Sequence, residues 1–135
     1  MIPESGITIV DEALIPQARI CLRSDGIMHV HFSKDVTFDV ALQQQMRKIY
    51  DRMTTGKKTK FIFSAEEGFV FTREARENAP LLQKQSPIQC FALVINSLAY
   101  RIVANFYIKV MKPDGNYKVV NSINEAVSWL NSLKV

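Results

Sequence analysis

The sequence predicts an α/β fold with a mixed, mostly parallel sheet, an antiparallel hairpin at its N-terminal end and about four helices. An Asp-Gly pair separates two apolar runs in the first third of the chain, which predicts the hairpin. Three later apolar runs each precede a helical pattern, and strands that alternate with helices form parallel sheets through right-handed crossovers. At 135 residues, the chain has the length of a single domain.

The hairpin lies in the segment RICLRSDGIMHVHF, where Ser24–Gly26 forms the turn. The second strand alternates its side chains between two faces of the sheet. One face carries Met28, Val30 and Phe32, and the other carries Ile27, His29 and His31. A shorter strand is predicted before the hairpin at Ile7–Val10, with DEALIPQ as the connection.

The first helix is predicted in TFDVALQQQMRKIYDRMTTGKK, where apolar residues recur at spacings of three and four. Thr37 or Asp39 is the expected N-cap, and Gly56 is expected to end the helix. The next strand, Lys60–Ser64, is apolar almost throughout, as is typical of a strand that is covered on both faces. The apolar helix positions are Phe38, Leu42, Met46, Ile49 and Met53.

A loop with a partly extended piece, AEEGFVF, leads to the second predicted helix, TREARENAPLLQKQ. Thr72 is its expected N-cap, with Glu74 in the first turn. Pro80 lies too deep for a first-turn proline, so we expect the helix to kink or to restart there. A strand at Ile88–Ile95 follows this helix.

The long helix predicted at Asn96–Met111 has an unusually wide apolar surface. Its polar residues fall on one narrow line because they step by four: Ser97, Arg101, Asn105 and Lys109. The helix therefore either lies covered between neighbouring helices, or offers one flank to a second copy of the chain, or borders a groove for an apolar ligand. The candidate interface or apolar-ligand residues are Tyr100, Val103, Phe106, Tyr107 and Val110.

The last two elements are a short strand, YKVVN, and a helix, SINEAVSWLNSLK. Ser122 and Glu125 have the spacing of a capping box at the start of this helix. Its apolar residues recur at helical spacing and are expected to face the core: Ile123, Ala126, Val127, Leu130 and Leu133.

Composition and charge argue against several classes of protein: nucleic-acid-binding, metal-binding, secreted and membrane-spanning proteins. Seventeen Lys and Arg residues against 13 Asp and Glu residues give a net charge of +4, which is modest for a nucleic-acid-binding protein. Cys21 and Cys90 lack metal-ligand spacing and are expected to be buried free thiols in a reducing compartment. The first residues lack the pattern of a signal peptide, so we expect a cytoplasmic protein. A membrane span is not expected, because the most apolar stretch contains Arg101 and Lys109.

No set of catalytic residues stands out. His29 and His31 have a spacing that could place two imidazoles on one metal ion, but the sequence has no third histidine. We expect instead a solvated or partner-facing sheet surface there. Nucleophile-elbow, dinucleotide-binding and phosphate-loop motifs are absent from the sequence. We therefore expect no catalytic residues, no metal and no cofactor.

Two hydroxyl side chains are candidates for phosphorylation or for anion binding. A helix N-terminus exposes unpaired N–H groups and a partial positive charge, so Thr72 could hold an anion or a phosphoryl group there. Ser64 closes the strand before the same loop. A phosphoryl group at either residue would place negative charge near the helix dipole. Simple capping is the alternative role for Thr72.

The stretch ALVINSLAYRIVANFYIKVMKP, followed by YKVVNSINEAVSWL, resembles a small family of STAS-like bacterial proteins of uncharacterised function. The order of elements also resembles the STAS domains of bacterial anti-sigma-factor antagonists. The resemblance extends from about Arg19 to Lys134 and implies a single STAS-like domain over residues 1–135. In place of the antagonists' Asp-Ser turn, this chain has Glu66 and Glu67.

STAS domains bind partner proteins, often under the control of a phosphorylated serine or threonine at the start of a helix. The resemblance therefore implies a non-enzymatic protein–protein interaction module with a regulatory role. Ser64 and Thr72 are the hydroxyls near the matching turn. STAS-like folds are also related to lipid-binding CRAL-TRIO domains, so the alternative is a carrier or sensor of an apolar, lipid-like small molecule.

Overall fold

The computed structural model describes residues 6–98, 100–102, 104–105 and 116–133. These residues form a six-stranded main sheet, a separate two-stranded sheet and four helical segments. The strands are β1 (Ile9–Ile15), β2 (Ala18–Arg23), β3 (Met28–Phe32), β4 (Thr37–Phe38), β5 (Thr59–Ala65), β6 (Val70–Phe71), β7 (Ile88–Val94) and β8 (Asn116–Val120). The helices are α1 (Val40–Thr54), α2 (Arg73–Gln83), α3 (described at residues 98, 100–102 and 104–105) and α4 (Ile123–Ser132).

The main sheet has the strand order β1-β2-β3-β5-β7-β8, and β4 pairs with β6 in the small sheet. β1, β2 and β3 pair antiparallel, whereas β3, β5, β7 and β8 pair parallel. Phe61 of β5 lies beside Phe91 of β7 in this parallel register. The mixed, mostly parallel sheet predicted from the sequence is thereby confirmed.

β1 is longer than the sequence predicted. It covers Ile9–Ile15 and so takes in most of the segment that was assigned to a connection, and that assignment was wrong. Ala13 packs against the core, and Glu12 pairs with Arg19 across the β1–β2 hairpin at an Nη2–Oε2 distance of 2.8 Å. Adjacent acidic residues interrupt the apolar alternation of this strand, which weakens its signal in the sequence.

Helix α1 has the predicted position. Asp39 is its N-cap, because Asp39 Oδ1 accepts a hydrogen bond from the backbone N–H of Leu42 at 2.9 Å. The alternative cap, Thr37, belongs to β4 instead. The helix ends before a left-handed turn in which Gly56 has a φ of 75°.

Helix α2 runs through Pro80 and continues to Gln83, so the predicted restart at the proline does not occur. A buried amide joins this helix to α1. Gln43 Nε2 donates to the carbonyl oxygen of Ala75 at 2.9 Å, and Gln43 Oε1 accepts from Asn78 Nδ2 at 3.0 Å. These two bonds fix α2 beside α1 over the same side of the sheet.

Two apolar cores lie on opposite faces of the main sheet. The α1 face is the side that packs against α1, and the α4 face is the side that packs against α4. The buried members on the α1 face are Ala18, Ile20, Met28, Val30, Phe32, Val36, Leu42, Met46, Tyr50, Met53 and Phe61. Those on the α4 face are Ile27, Ile62, Cys90, Ala92, Val120, Ala126, Val127 and Leu130. Burial of this apolar surface is the main stabilising contribution.

The loop between β5 and β6 lies against the segment that follows β3. The backbone N–H of Glu66 donates to the carbonyl of Phe32 at 3.0 Å, and that of Asp35 donates to the carbonyl of Glu67 at 3.0 Å. Gly68 approaches so closely that a Cβ there would lie 1.9 Å from Asp35 Oδ1. These contacts hold Glu66 at the C-terminal end of β3.

Candidate functional site

A polar patch lies on the α4 face, where β2, β3 and β5 run side by side. The strand register places Arg19 opposite His31 and His31 opposite Ser64. In the neighbouring row, Cys21 lies opposite His29. Side chains on a strand alternate between faces, and the residues between these belong to the core on the α1 face. We call Arg19, Cys21, His29, His31 and Ser64 the histidine–serine patch.

Ser64 links the two histidines of the HxH pair. Its Oγ lies 2.8 Å from His29 Nε2 and 2.7 Å from His31 Nδ1. His31 keeps 40% of its side chain exposed, whereas His29 is only 4% exposed. The solvated or partner-facing surface expected at both histidines is therefore wrong for His29, which is buried and has a specific partner.

The direction of these hydrogen bonds follows from the surroundings of His31. A serine hydroxyl has one hydrogen, so Ser64 can donate to only one of the two imidazoles and must accept from the other. His31 Nε2 lies 3.6 Å from Glu66 Oε1, which favours a hydrogen on Nε2 and leaves Nδ1 as the acceptor. In this arrangement Ser64 donates to His31 Nδ1 and accepts from the N–H of His29 Nε2.

His29 is neutral over the physiological pH range. Burial lowers its pKa from 6.5 to about 4, and the charges of Arg23 and Arg19, together with that of His31 whenever it is protonated, act in the same direction. Arg23 is paired with Asp25 at 2.8 Å, and Arg19 with Glu12. The surroundings of His29 therefore disfavour a further positive charge.

A cavity of about 60 Å³ lies at this patch. Of the described residues, Arg19, Cys21, His29 and His31 line it. The Nε of Arg19 is buried and finds no hydrogen-bond acceptor among the residues that the structure describes. A buried donor without an acceptor lowers the free energy of unfolding by about 1–3 kcal/mol. A ligand atom that accepted from this Nε would recover that loss.

The two cysteines are both free and buried, as the sequence predicted. Burial raises the pKa of each thiol, although Arg19 beside Cys21 and Lys60 beside Cys90 act in the opposite direction. Neither thiol is therefore set up as a nucleophile. Among the residues that the structure describes, no three His, Cys, Asp or Glu side chains are arranged to hold a metal ion.

The structure separates the two candidate phosphorylation sites. Thr72 is the N-cap of α2, and its Oγ1 accepts from the backbone N–H of Ala75 at 3.2 Å. Ser64 lies within β5, and its hydroxyl is bound between the two histidines rather than at a helix terminus. Of the two, Thr72 alone has the helix N-terminal position that the sequence interpretation required.

Helix α3 exposes apolar side chains in its described part. Leu98 is 73% exposed, and Tyr100 and Ile102 are each 61% exposed. Arg101, which belongs to the polar line predicted on this helix, is half-buried and donates to Asn121 Oδ1. The first alternative for this helix, in which neighbouring helices cover it, is thus wrong for these three residues. The other candidate interface residues lie outside the described part of the chain: Val103, Phe106, Tyr107 and Val110.

No helix in the described ranges is both long and apolar enough to cross a bilayer.

The sequence analysis did not place Arg19 and Glu12 beside the two histidines. The alternation in RICLR places Arg19 on the same face as Cys21, and this signal was present once the hairpin was predicted. Glu12 could not be found, because it lies in the part of β1 that was assigned to a connection. The link between Ser64 and the histidines depends on strand register across the crossover, which the sequence pattern does not give.

The order of strands and helices, with a parallel sheet entered through an antiparallel hairpin, defines a STAS-like α/β domain. A search of solved structures agrees: the chain is similar to an uncharacterised protein of the DUF3478 family with a SpoIIAA-like fold from Shewanella loihica PV-4. The TM-score is 0.54 and the identity 11%, over 93% of this chain and 94% of that one. At this identity the similarity establishes the fold alone.

The family is shown by the sequence. Residues 20–134 match the model of a domain of unknown function, DUF7793, and the chain belongs to this family. A search of curated proteins finds no match. The predicted membership of an uncharacterised STAS-like family is thereby confirmed.

Proposed function

We propose that this chain is a non-enzymatic, regulatory protein-binding module of the cytoplasm, and that the start of α3 is part of its partner surface. The observation that carries the proposal is the exposure of Leu98, Tyr100 and Ile102. Large apolar side chains grouped in one segment of surface mark interaction sites more often than isolated ones do. Tyrosine, in addition, is enriched in protein interfaces because it combines apolar area with a polar group.

The geometry of α3 suggests two contact directions. Positions 98 and 102 are four residues apart and lie on one side of a helix, whereas position 100 points away from both. Arg101 is tied to Asn121 after β8 and anchors the helix to the sheet. A partner that packs over the Leu98 and Ile102 side would bury apolar area without displacing this anchor.

The test compares capture of partners by the wild-type chain and by a Leu98→Ser/Ile102→Ser double variant. Leu81→Ser is the matched control, because Leu81 is 70% exposed but lies on α2. Immobilised proteins are incubated with lysate of the native host, and recovered proteins are quantified by mass spectrometry. We expect at least one protein to be recovered about tenfold less by the double variant, and equally by wild type and control. If no recovered protein depends on these two residues, the proposed surface is wrong.

Sedimentation of the same variants tests the homodimer version. If the partner is a second copy of the chain, the wild type and Leu81→Ser should sediment as dimers at high micromolar concentration. The Leu98→Ser/Ile102→Ser variant should then sediment as a monomer. A monomeric wild type removes the homodimer and leaves another protein as the partner. A small molecule retained in native mass spectra of host-derived protein would favour the carrier function instead.

Thr72 is the stronger of the two candidate switch residues. A phosphoryl group on Thr72 would lie at the N-terminus of α2, where backbone N–H groups and the helix dipole stabilise negative charge. A phosphoryl group on Ser64 would break both bonds to the histidines. Phosphopeptide mapping of host-derived protein tests this order: we expect modification at Thr72 before Ser64, and an unmodified Thr72 in protein from every growth condition contradicts it.

A further inference from the structure

The cavity beside the histidine–serine patch has the features of a small ligand site. Its volume of about 60 Å³ gives room for several water molecules, at about 10–15 Å³ for each. An oxyanion of four or five heavy atoms therefore fits its size. His31 keeps 40% of its side chain exposed, so the patch reaches the protein surface.

The donors at the cavity are arranged for an acceptor that the described residues do not supply. Arg19 donates through Nη2 to Glu12 Oε2 at 2.8 Å, yet its buried Nε has no acceptor. His29 is 4% exposed and uses its Nε2 on Ser64. The Nε of an arginine that lines the cavity is thus left without an acceptor among the described residues.

The arginine beside the cavity can bind an anion only in competition with a carboxylate. Burial, and after it the charges of Arg23 and Arg19, hold the pKa of His29 low. Carboxylates oppose this positive charge, because Glu12 pairs with Arg19, Asp25 pairs with Arg23, and Glu66 lies 3.6 Å from His31. The thiol of Cys21, also on the cavity wall, is uncharged because burial raises its pKa.

We propose that this cavity binds a small oxyanion, either a carboxylate or a phosphate group, through the Nε of Arg19, with the rings of His29 and His31 beside the ligand. The ligand oxygen accepts from Arg19 Nε, which restores the hydrogen bond that this buried donor lacks. Arg19 is the specificity-determining residue, because a guanidinium offers donors in a fixed planar arrangement that suits an oxyanion. The proposal does not depend on the α3 surface.

The histidine rings report binding directly. The sequence contains only two histidines, so both ring spectra can be followed by NMR without overlap from others. Sodium acetate and inorganic phosphate are titrated separately at constant ionic strength, with sodium chloride as the balancing salt. We expect saturable shifts of both histidine rings with at least one anion. The anion that binds more tightly identifies the carboxylate or the phosphate as the ligand group.

Variants of Arg19 distinguish a specific hydrogen bond from its Nε from a non-specific attraction by its positive charge. Arg19→Gln removes the guanidinium, and Arg19→Lys keeps the charge but lacks the Nε donor. Both should weaken binding by about tenfold or more, as loss of a charged hydrogen bond does. Arg73→Gln is the matched control, because Arg73 is 79% exposed and pairs with Glu77 one turn along its own helix. It should bind as the wild type does.

Removal of the Glu12 carboxylate, which competes with the anion for Arg19, should strengthen anion binding. Glu12→Gln frees Arg19 Nη2 from its ion pair and should strengthen anion binding several-fold. Circular dichroism of each variant confirms that it is folded. Absence of a saturable shift up to tens of millimolar anion would overturn the proposal. So would equal binding by Arg19→Lys and wild type, or equal weakening by Arg19→Gln and Arg73→Gln.

Discussion

The two faces of the main sheet are built from alternating residues of the same strands, yet different interactions hold them. On the α1 face, Phe61 is fully buried and its ring packs against Tyr50. On the α4 face, beside the second core, Ser64 joins His29 and His31 of the neighbouring strand. Apolar burial is non-directional, whereas hydrogen bonds require a defined register. The difference teaches that the α1 face supplies stability and the histidine–serine patch supplies a defined geometry.

The largest expected effect is on the α1 face. Phe61→Ala should lower the free energy of unfolding by about 3–5 kcal/mol, because it leaves a cavity in a close-packed core. The ring of Phe61 lies 5.0 Å from that of Tyr50 and 5.6 Å from that of Phe63, centroid to centroid. Urea denaturation at pH 7 measures the loss.

Leu14→Ala is the control for this variant, because Leu14 is 74% exposed on the edge strand β1. It should change the free energy of unfolding by less than about 0.5 kcal/mol. A similar loss in both variants would mean that Phe61 does not contribute through burial. The two faces would then not differ in the way described.

The apolar face was predictable because alternation within a strand can be recognised from the sequence. Met28, Val30 and Phe32 were assigned to one face, and all three belong to the core there. The patch on the other face was not predictable to the same degree. His31 and Ser64 are 33 residues apart, and their contact is set by the parallel register after α1. Such long-range pairing depends on tertiary packing rather than on local pattern.

The second largest expected effect is a pH dependence of the free energy of unfolding, and it comes from His29 on the α4 face. Burial and nearby positive charges hold the pKa of His29 at about 4 in the folded protein, against about 6.5 in the unfolded chain. Between these values the unfolded chain binds a proton that the folded protein does not, so stability falls as the pH is lowered from 6.5 towards 4. The expected loss over this range is about 3 kcal/mol.

Urea denaturation of wild type and His29→Gln at pH 7, 5.5 and 4 measures this loss. The variant should lack most of the pH dependence over the range. His31→Gln should keep the larger part of it, because burial, the first cause of the shift at His29, remains. Equal pH dependence in wild type and His29→Gln would show that the proton is taken up elsewhere.

Ser64→Ala should have an intermediate effect at neutral pH. It removes the partner of the buried His29 Nε2 and of His31 Nδ1, which should cost about 1–3 kcal/mol. In the His29→Gln background the same substitution should cost less, because one of the two bonds is already changed. Ser132→Ala is the control, because Ser132 is exposed and its hydroxyl donates to the carbonyl of Trp129 in its own helix. Additive losses in the double-mutant cycle would contradict a linked patch.

Glu12→Gln should have the smallest effect on stability, although it lies at the edge of the same patch. The Arg19–Glu12 pair leaves 37% and 39% of the two side chains exposed, and ion pairs of this kind contribute little because water screens them. We expect a change of less than about 0.5 kcal/mol in urea denaturation, and a smaller one at high salt. A loss above about 1 kcal/mol that persists at high salt would make this pair part of the structural core of the patch. Unchanged stability together with stronger anion binding would instead place Glu12 as a competitor for Arg19, so that the polar edge of the α4 face governs occupancy of the cavity rather than folding.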